Sequence, residues 1–154
     1  MTRPIFILGQ TASGKHAAAE AVADRLGAQL ISVDSMKVYR RMDIGTAKPK
    51  RPYRLVDVCD PSESYNAGRF VRDARQCLQD CARPLFVGGT ALYYKTLAYG
   101  LFEGPQADPV LRQELVAIGA PALHDELRRV DPKAAAKIHP NDLKRLVRAV
   151  EVFR

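Results

Sequence analysis

In the N-terminal half of the chain, short apolar runs end at a glycine or an acidic residue and give way to helical spacing. Pro4 to Leu8 (PIFIL) is the first such run; it ends at Gly9 and fits a buried parallel strand. Lys15 to Leu26 places Ala, Val and Leu at helical spacing and stops before Gly27. Ala28 to Val33 reads as a second strand, closed by Asp34. A loop-rich stretch follows, DSMKVYRRMDIGTAKPKRP, and Arg54 to Val58 suits a further short strand. Asn66 to Ala82 predicts a helix with Phe70, Ala74, Cys77 and Leu78 on one face. Pro84 to Val87 repeats the strand pattern, and Gly88-Gly89-Thr90 opens a helix toward Tyr99. Strands alternating with helices predict an α/β fold, a parallel sheet of about three to five strands flanked by helices.

From Phe102 onward the pattern changes. Short helical stretches are punctuated by Pro105, Pro109, Pro121, Pro132 and Pro140, with no strand pattern among them. The expected organisation is therefore a core over 1–101 and a helical extension over 102–154. The last helix has Asn141 or Asp142 as its cap, with Leu143, Leu146, Val147 and Val150 facing inward.

Composition sets the broad class. Of 154 residues, 47% are hydrophobic and 27% charged, as in a globular domain, and no apolar run approaches a membrane span. Cys59, Cys77 and Cys81 have no metal-like or redox spacing, which points to reduced thiols and a cytoplasmic setting. Cys77 and Cys81, four apart, are expected as small buried residues of one helix. The net charge of +7 suits either a polyanionic partner such as nucleic acid or a merely basic surface.

Candidate chemistry gathers at the strand ends. GQTASGKH, Gly9 to His16, follows the phosphate-loop pattern G-x-x-x-x-G-K up to its last position. The residues Gly9, Gln10, Thr11, Ala12, Ser13 and Gly14 would curl backbone N–H groups around an anion at a helix N-terminus. Lys15 adds a full positive charge. The pattern wants Ser or Thr at the end, where the hydroxyl ligates Mg²⁺; His16 stands there, and imidazole is a poor ligand for that hard ion. The expected Mg²⁺ is thus weakened, or His16 simply faces solvent on the first helical turn. Asp34 ends the second strand, where open parallel sheets bind ligands. A carboxylate there has three open roles: general base, metal partner, or cap of the next turn. Thr90 either points into the same crevice or serves as an N-cap.

Taken together these segments resemble the tRNA dimethylallyltransferases, also called tRNA isopentenyltransferases. The resemblance rests on GQTASGKH, DSMKVYRRMDIGTAKP (Asp34 to Pro49), DPSESYNAGRF (Asp60 to Phe70), VGGTALYYKTL (Val87 to Leu97) and DPKAAAKIHPNDLKRLVRAVEVFR (Asp131 to Arg154). It runs in order through the chain, and Asp34 to Pro49 is its most specific part. It implies a P-loop-type fold and transfer of a dimethylallyl group from its diphosphate to the exocyclic amine of an adenine beside the tRNA anticodon. By matching motif, Gly9 to His16 would hold the diphosphate, and Asp34 would accept the amine proton. Ser35, Met36 and Lys37 would contact a flipped-out adenine, and Thr90 would lie near the reacting centre. Arg112, Lys144, Arg145, Leu146, Val147 and Arg148 would touch tRNA or the leaving group, with Arg145 counted beside Asp34, Thr90 and Lys15 as catalytic. The implied partners are a tRNA anticodon stem-loop and dimethylallyl diphosphate, with no membrane and a monomeric chain.

The sequence departs from the family at named places. The family has Ser or Thr at His16 and Gln at Lys37, its members continue well past Arg154, and the segment between Thr46 and Leu55 is usually longer. Two other readings stay open: a truncated or degenerate paralogue that binds an anion or RNA without turnover, and a small-molecule phosphotransferase binding ATP or another nucleoside triphosphate on the same fold.

Overall fold

The computed structural model describes residues 3–101 and 104–154. The chain divides into two compact units, Met1–Leu101 and Phe102–Arg154. Phe102, where the sequence pattern changes, lies outside the described residues.

The first unit runs β1 (Ile5–Leu8), α1 (Lys15–Leu26), β2 (Gln29–Val33), α2 (Ala67–Asp80), β3 (Pro84–Gly88) and α3 (Ala91–Tyr99). The strands form one three-stranded parallel sheet in the order β1-β3-β2. All of β3 is buried and β2 is buried from Leu30 onward, as apolar runs covered on both faces should be. Ala19 and Ala23 of α1 pack with Leu30, Leu85, Val87 and Tyr53. A larger cluster joins Ile31, Val33 and Phe86 to Phe70, Val71 and Ala74 of α2 and Tyr93 of α3. The α/β expectation is met, with three strands and one change of place. Strand β1 lies at a sheet edge, with Ile5 and Leu8 exposed, and is not the buried strand its composition suggests.

The expected strand over Arg54 to Val58 does not form. Arg54 makes an isolated bridge to Ile31, its N–H donating to Leu30 O and its carbonyl accepting from Ser32 N. Leu55 and Asp57 then take left-handed conformations (φ 61° and 56°), which break an extended run. Asn66 caps α2 by accepting from Arg69 N at 2.9 Å. Cys81 falls just beyond α2 on extended backbone, so it does not share the helix with Cys77; both thiols are buried and free.

The second unit is helical: α4 (Pro109–Ile118), α5 (Ala120–Val130), α6 (Pro132–Ala135) and α7 (Leu143–Phe153). Asp108, Asp131 and Asp142 each cap a helix through a side-chain oxygen, so Asp142 rather than Asn141 starts α7. Leu115, Leu123, Leu127, Leu146, Val147 and Val150 form its core. Glu151 is buried among them at 3% exposure. Its carboxylate accepts two bonds from Arg112 at 2.9 Å, one from Arg148 at 2.6 Å and one from Asp108 N at 2.8 Å. These donors, Arg112 foremost, hold the Glu151 carboxyl down at about 2.

That depression fixes a pH window. The bonds stabilise the fold fully above the unfolded carboxyl value and are lost as pH falls from there toward about 2. We expect acid to cost this unit about 2 kcal/mol through Glu151, less than the full shift because both arginines are partly in water. Glu151→Gln should flatten the loss, read as helical circular dichroism of the full chain against urea between pH 5 and 2.

Candidate active site

The site follows from strand register. Leu8 pairs with Gly88, and Gly88 pairs with Val33, so all three strands end level. The residues that come next are therefore delivered to one edge of the sheet: the phosphate loop from Gly9, Asp34, and Gly89-Thr90. Backbone bonds carry the pairing one step further, Gly9 N to Gly88 O at 3.2 Å and Thr90 N to Val33 O at 3.1 Å. The approach at Gly88 is so close that a Cβ there would sit 2.0 Å from Val33 O. No other residue fits.

These loops line a cavity of about 530 Å³ whose walls include Gln10, Lys15, His16, Asp34, Lys37 and Thr90. In the phosphate loop, Ala12 (φ 64°) and Gly14 (φ 74°) are both left-handed, and Gly14 begins α1 without a side-chain cap. Ser13 N donates within the loop to Gln10 O at 3.3 Å, and the uncapped N-terminal end of α1 is left to face an anion. Lys15 Nζ donates to Gln10 O at 2.8 Å, inside the loop. A narrower cavity of about 320 Å³ shares Gln10, Gly89 and Thr90 with the first and has Leu8, Ala91 and Tyr94 as apolar walls.

Asp34 Oδ1 accepts from Met36 N at 2.9 Å and Lys37 N at 3.2 Å, so the carboxylate caps its own turn. Its second oxygen has no hydrogen-bond donor among the described residues. Thr90 is the N-cap residue of α3, but its side chain makes no capping bond to the helix. Its Oγ1 accepts from Ser35 N at 3.0 Å and donates to Ser35 Oγ at 3.4 Å, tying the β3 loop to the Asp34 turn.

The two residues that replace the family's usual ones, His16 and Lys37, touch each other. Lys37 Nζ lies 2.8 Å from His16 Nε2, and His16 Nδ1 lies 3.4 Å from Tyr53 Oη. An ammonium can only donate, so Nε2 is the unprotonated nitrogen and the ring proton sits on Nδ1, toward Tyr53. Burial, then the charges of Lys37 and Lys15, push the imidazole below its usual range, in keeping with a neutral acceptor. Burial also lowers Lys37, with Lys15 adding to it and Asp34 opposing. His16 is half-buried, so the solvent-facing alternative does not hold. Gly45, Thr46 and Ala47 also line the cavity. They belong to the quoted Asp34 to Pro49 stretch, but nothing in their spacing assigns them a role.

Mg²⁺ fits this donor set poorly. Where a phosphate loop offers a hydroxyl, this one offers an imidazole whose lone pair is taken by an ammonium, and that charge repels a dication. Among the described residues no three His, Cys, Asp or Glu side chains group as metal ligands.

The remaining expected residues belong to the second unit. Leu146 and Val147 are buried in its core, so their side chains pack the helices and do not present a surface to RNA. Arg112 and Arg148 hold Glu151. Lys144 and Arg145 are exposed.

A sequence profile of the IPP transferase family matches residues 37–154. The chain belongs to the IPP transferase family. The phosphate loop precedes the matched residues, and relatives extend the likeness over it. A tRNA dimethylallyltransferase of Alkalilimnicola ehrlichii is 50% identical over 97% of this chain and 51% of its own length. The tRNA isopentenylpyrophosphate transferase of Bacillus halodurans, in its crystal structure, is 41% identical with a TM-score of 0.64, covering 99% of this chain and 55% of that one. A eukaryotic dimethylallyltransferase acting on tRNA is 28% identical with a TM-score of 0.81, covering 99% and 42%. These IPP transferases share the P-loop-type parallel sheet described above. The chain spans about half the length of the curated relatives it matches. Among the described residues no helix is long and apolar enough to cross a membrane.

Proposed function

We propose that this chain binds dimethylallyl diphosphate and transfers its dimethylallyl group to the exocyclic amine of an adenine beside a tRNA anticodon. The observation that carries this reading is the single cavity in which a phosphate loop, Lys15, Asp34 and Thr90 meet. The loop N–H groups and Lys15 take the diphosphate, and the apolar cavity beside Thr90 takes the five-carbon chain. The adenine enters turned out of its stack, and the excess of Lys and Arg grips the RNA backbone.

The reaction forms a bond from the amine nitrogen to the terminal carbon of the dimethylallyl group and breaks that carbon's bond to diphosphate oxygen. The departing pyrophosphate carries the electron pair, and the amine loses one proton. An aromatic amine is a weak nucleophile because its lone pair is delocalised, so removing that proton as the bond forms helps. Asp34 takes it in this reading, through the oxygen not used on Met36 and Lys37. Lys15 and the loop N–H groups meet the charge that grows on the leaving pyrophosphate. Thr90 holds Ser35 and the Asp34 turn against β3, fixing the distance between base and loop.

The test is a single-turnover assay with radiolabelled dimethylallyl diphosphate and an anticodon stem-loop bearing the target adenine. Label on the RNA is the expected result. Diphosphate binding without label would leave an anion-binding remnant, and phosphate transfer from a nucleoside triphosphate, indifferent to RNA, would replace the reading with a phosphotransferase. Lys15→Ala should weaken diphosphate affinity about tenfold or more, the scale of a lost charge-assisted contact; unchanged affinity would unseat the loop assignment.

A further inference from the structure

We propose that the Lys37 ammonium, steered by His16, is the resident cation of the diphosphate site and takes the place of the divalent ion that a phosphate loop ordinarily recruits. This rests on the diphosphate reading above.

Position comes first. His16 occupies the loop position whose hydroxyl would ligate a metal, and Lys37 Nζ lies 2.8 Å from its Nε2. The ammonium therefore stands within one hydrogen bond of that position. Lys15, Lys37 and His16 line one cavity with Gln10, Thr11 and Ala12 of the loop.

Partnering is the second argument. Lys37 is only 4% exposed. A buried ammonium is costly unless a carboxylate meets it. Here its hydrogen-bond partner is a neutral imidazole, and the Asp34 oxygen seen in hydrogen bonds is spent on two backbone N–H groups. The Asp34 charge offsets one ammonium, but Lys15 and Lys37 both line the cavity, so positive charge is left in excess there. A diphosphate entering the loop would supply what Lys37 lacks.

The relay explains why His16 and Lys37 occur together. A Ser or Thr at position 16 would be too short to hold Nζ where the ring nitrogen holds it. A Gln at position 37 would bring no charge for His16 to hold. Tyr53, against Nδ1, fixes the ring's orientation. His16 and Tyr53 are positioning residues; Lys37 is the binding group.

The experiment is calorimetric titration of the full chain with inorganic pyrophosphate, in EDTA and again in excess Mg²⁺. Affinity in EDTA should fall within about threefold of that in Mg²⁺, a difference too small to be the loss of a bound dication. Lys37→Gln should lose about tenfold or more in EDTA, and the pair His16→Thr with Lys37→Gln should regain it only when Mg²⁺ is added. Wild-type binding that requires Mg²⁺ overturns the proposal and leaves the diphosphate reading standing. Equal binding by wild type and Lys37→Gln in EDTA also overturns it. No binding in either medium removes both. The wild-type comparison decides even where a variant fails to fold.

Discussion

Asp34→Asn should lower single-turnover transfer by about a hundredfold to ten-thousandfold, the range of a lost general base. The choice of asparagine matters. Its amide oxygen still accepts from Met36 N and Lys37 N, so the turn that Asp34 Oδ1 caps is kept. What disappears is the second carboxylate oxygen and its capacity for a proton. Pyrophosphate affinity should accordingly change by about threefold at most, because the loop and Lys15 are untouched. Asp34→Ala confounds the two effects, since losing such a cap costs about 1 kcal/mol of local stability as well. Transfer by Asp34→Asn at the wild-type rate would remove Asp34 as the base.

Gly88→Ala should be still more damaging, and for a reason without chemistry in it. Its Cβ would sit 2.0 Å from Val33 O and 2.5 Å from Val33 C, both backbone atoms of the neighbouring strand. No rotamer relieves a clash with backbone, so β2 and β3 would have to separate at their shared end. That end carries the bond from Thr90 N to Val33 O and the pairing on which Asp34 and Thr90 depend. We expect about 3 kcal/mol or more of destabilisation, at or above the usual range for overpacking, read as a lower urea midpoint. Transfer should vanish even where the chain still folds. A variant of unchanged midpoint and activity would mean that the strand end yields more easily than its geometry implies.

The two predictions mark where sequence was informative. Local pattern sufficed for α1, β2, β3 and the last helix, because apolar runs and caps such as Asp142 act within a few residues. Strand order was beyond it. PIFIL and PLFV read alike, yet Ile5 sits at an edge while Leu85, Phe86 and Val87 are wholly buried, and only the β1-β3-β2 arrangement separates them. The lost strand at Arg54 failed for a local reason that composition hides: Leu55 and Asp57 adopt left-handed backbone although neither is glycine.

The candidate site divides in the same way. Its parts were legible as residues at strand ends, and the resemblance supplied their roles. What escaped was a relation between residues 21 apart in sequence. His16 and Lys37 each look like a defect in a familiar pattern, and only their 2.8 Å contact joins them. Leu146 and Val147 erred in the opposite direction. The resemblance set them against tRNA, whereas helical periodicity already turned them inward, and the structure sides with periodicity, burying both and leaving Lys144 and Arg145 outside.

The order β1-β3-β2 also dictates when the first unit can assemble on a ribosome. The central strand is the last of the three to be made, so β1 and β2 have no sheet partner until Pro84–Gly88 has emerged. Until then two unpaired strand edges wait in the nascent chain, a period in which such segments are prone to stick to one another. When β3 arrives it joins both neighbours at once, bringing the loops at Gly9, Asp34 and Gly89 level in the same event. Ribosome-bound intermediates shorter than that strand should thus hold neither sheet nor diphosphate pocket, and slow synthesis before residue 84 should tax the cell's chaperones more than slow synthesis after it.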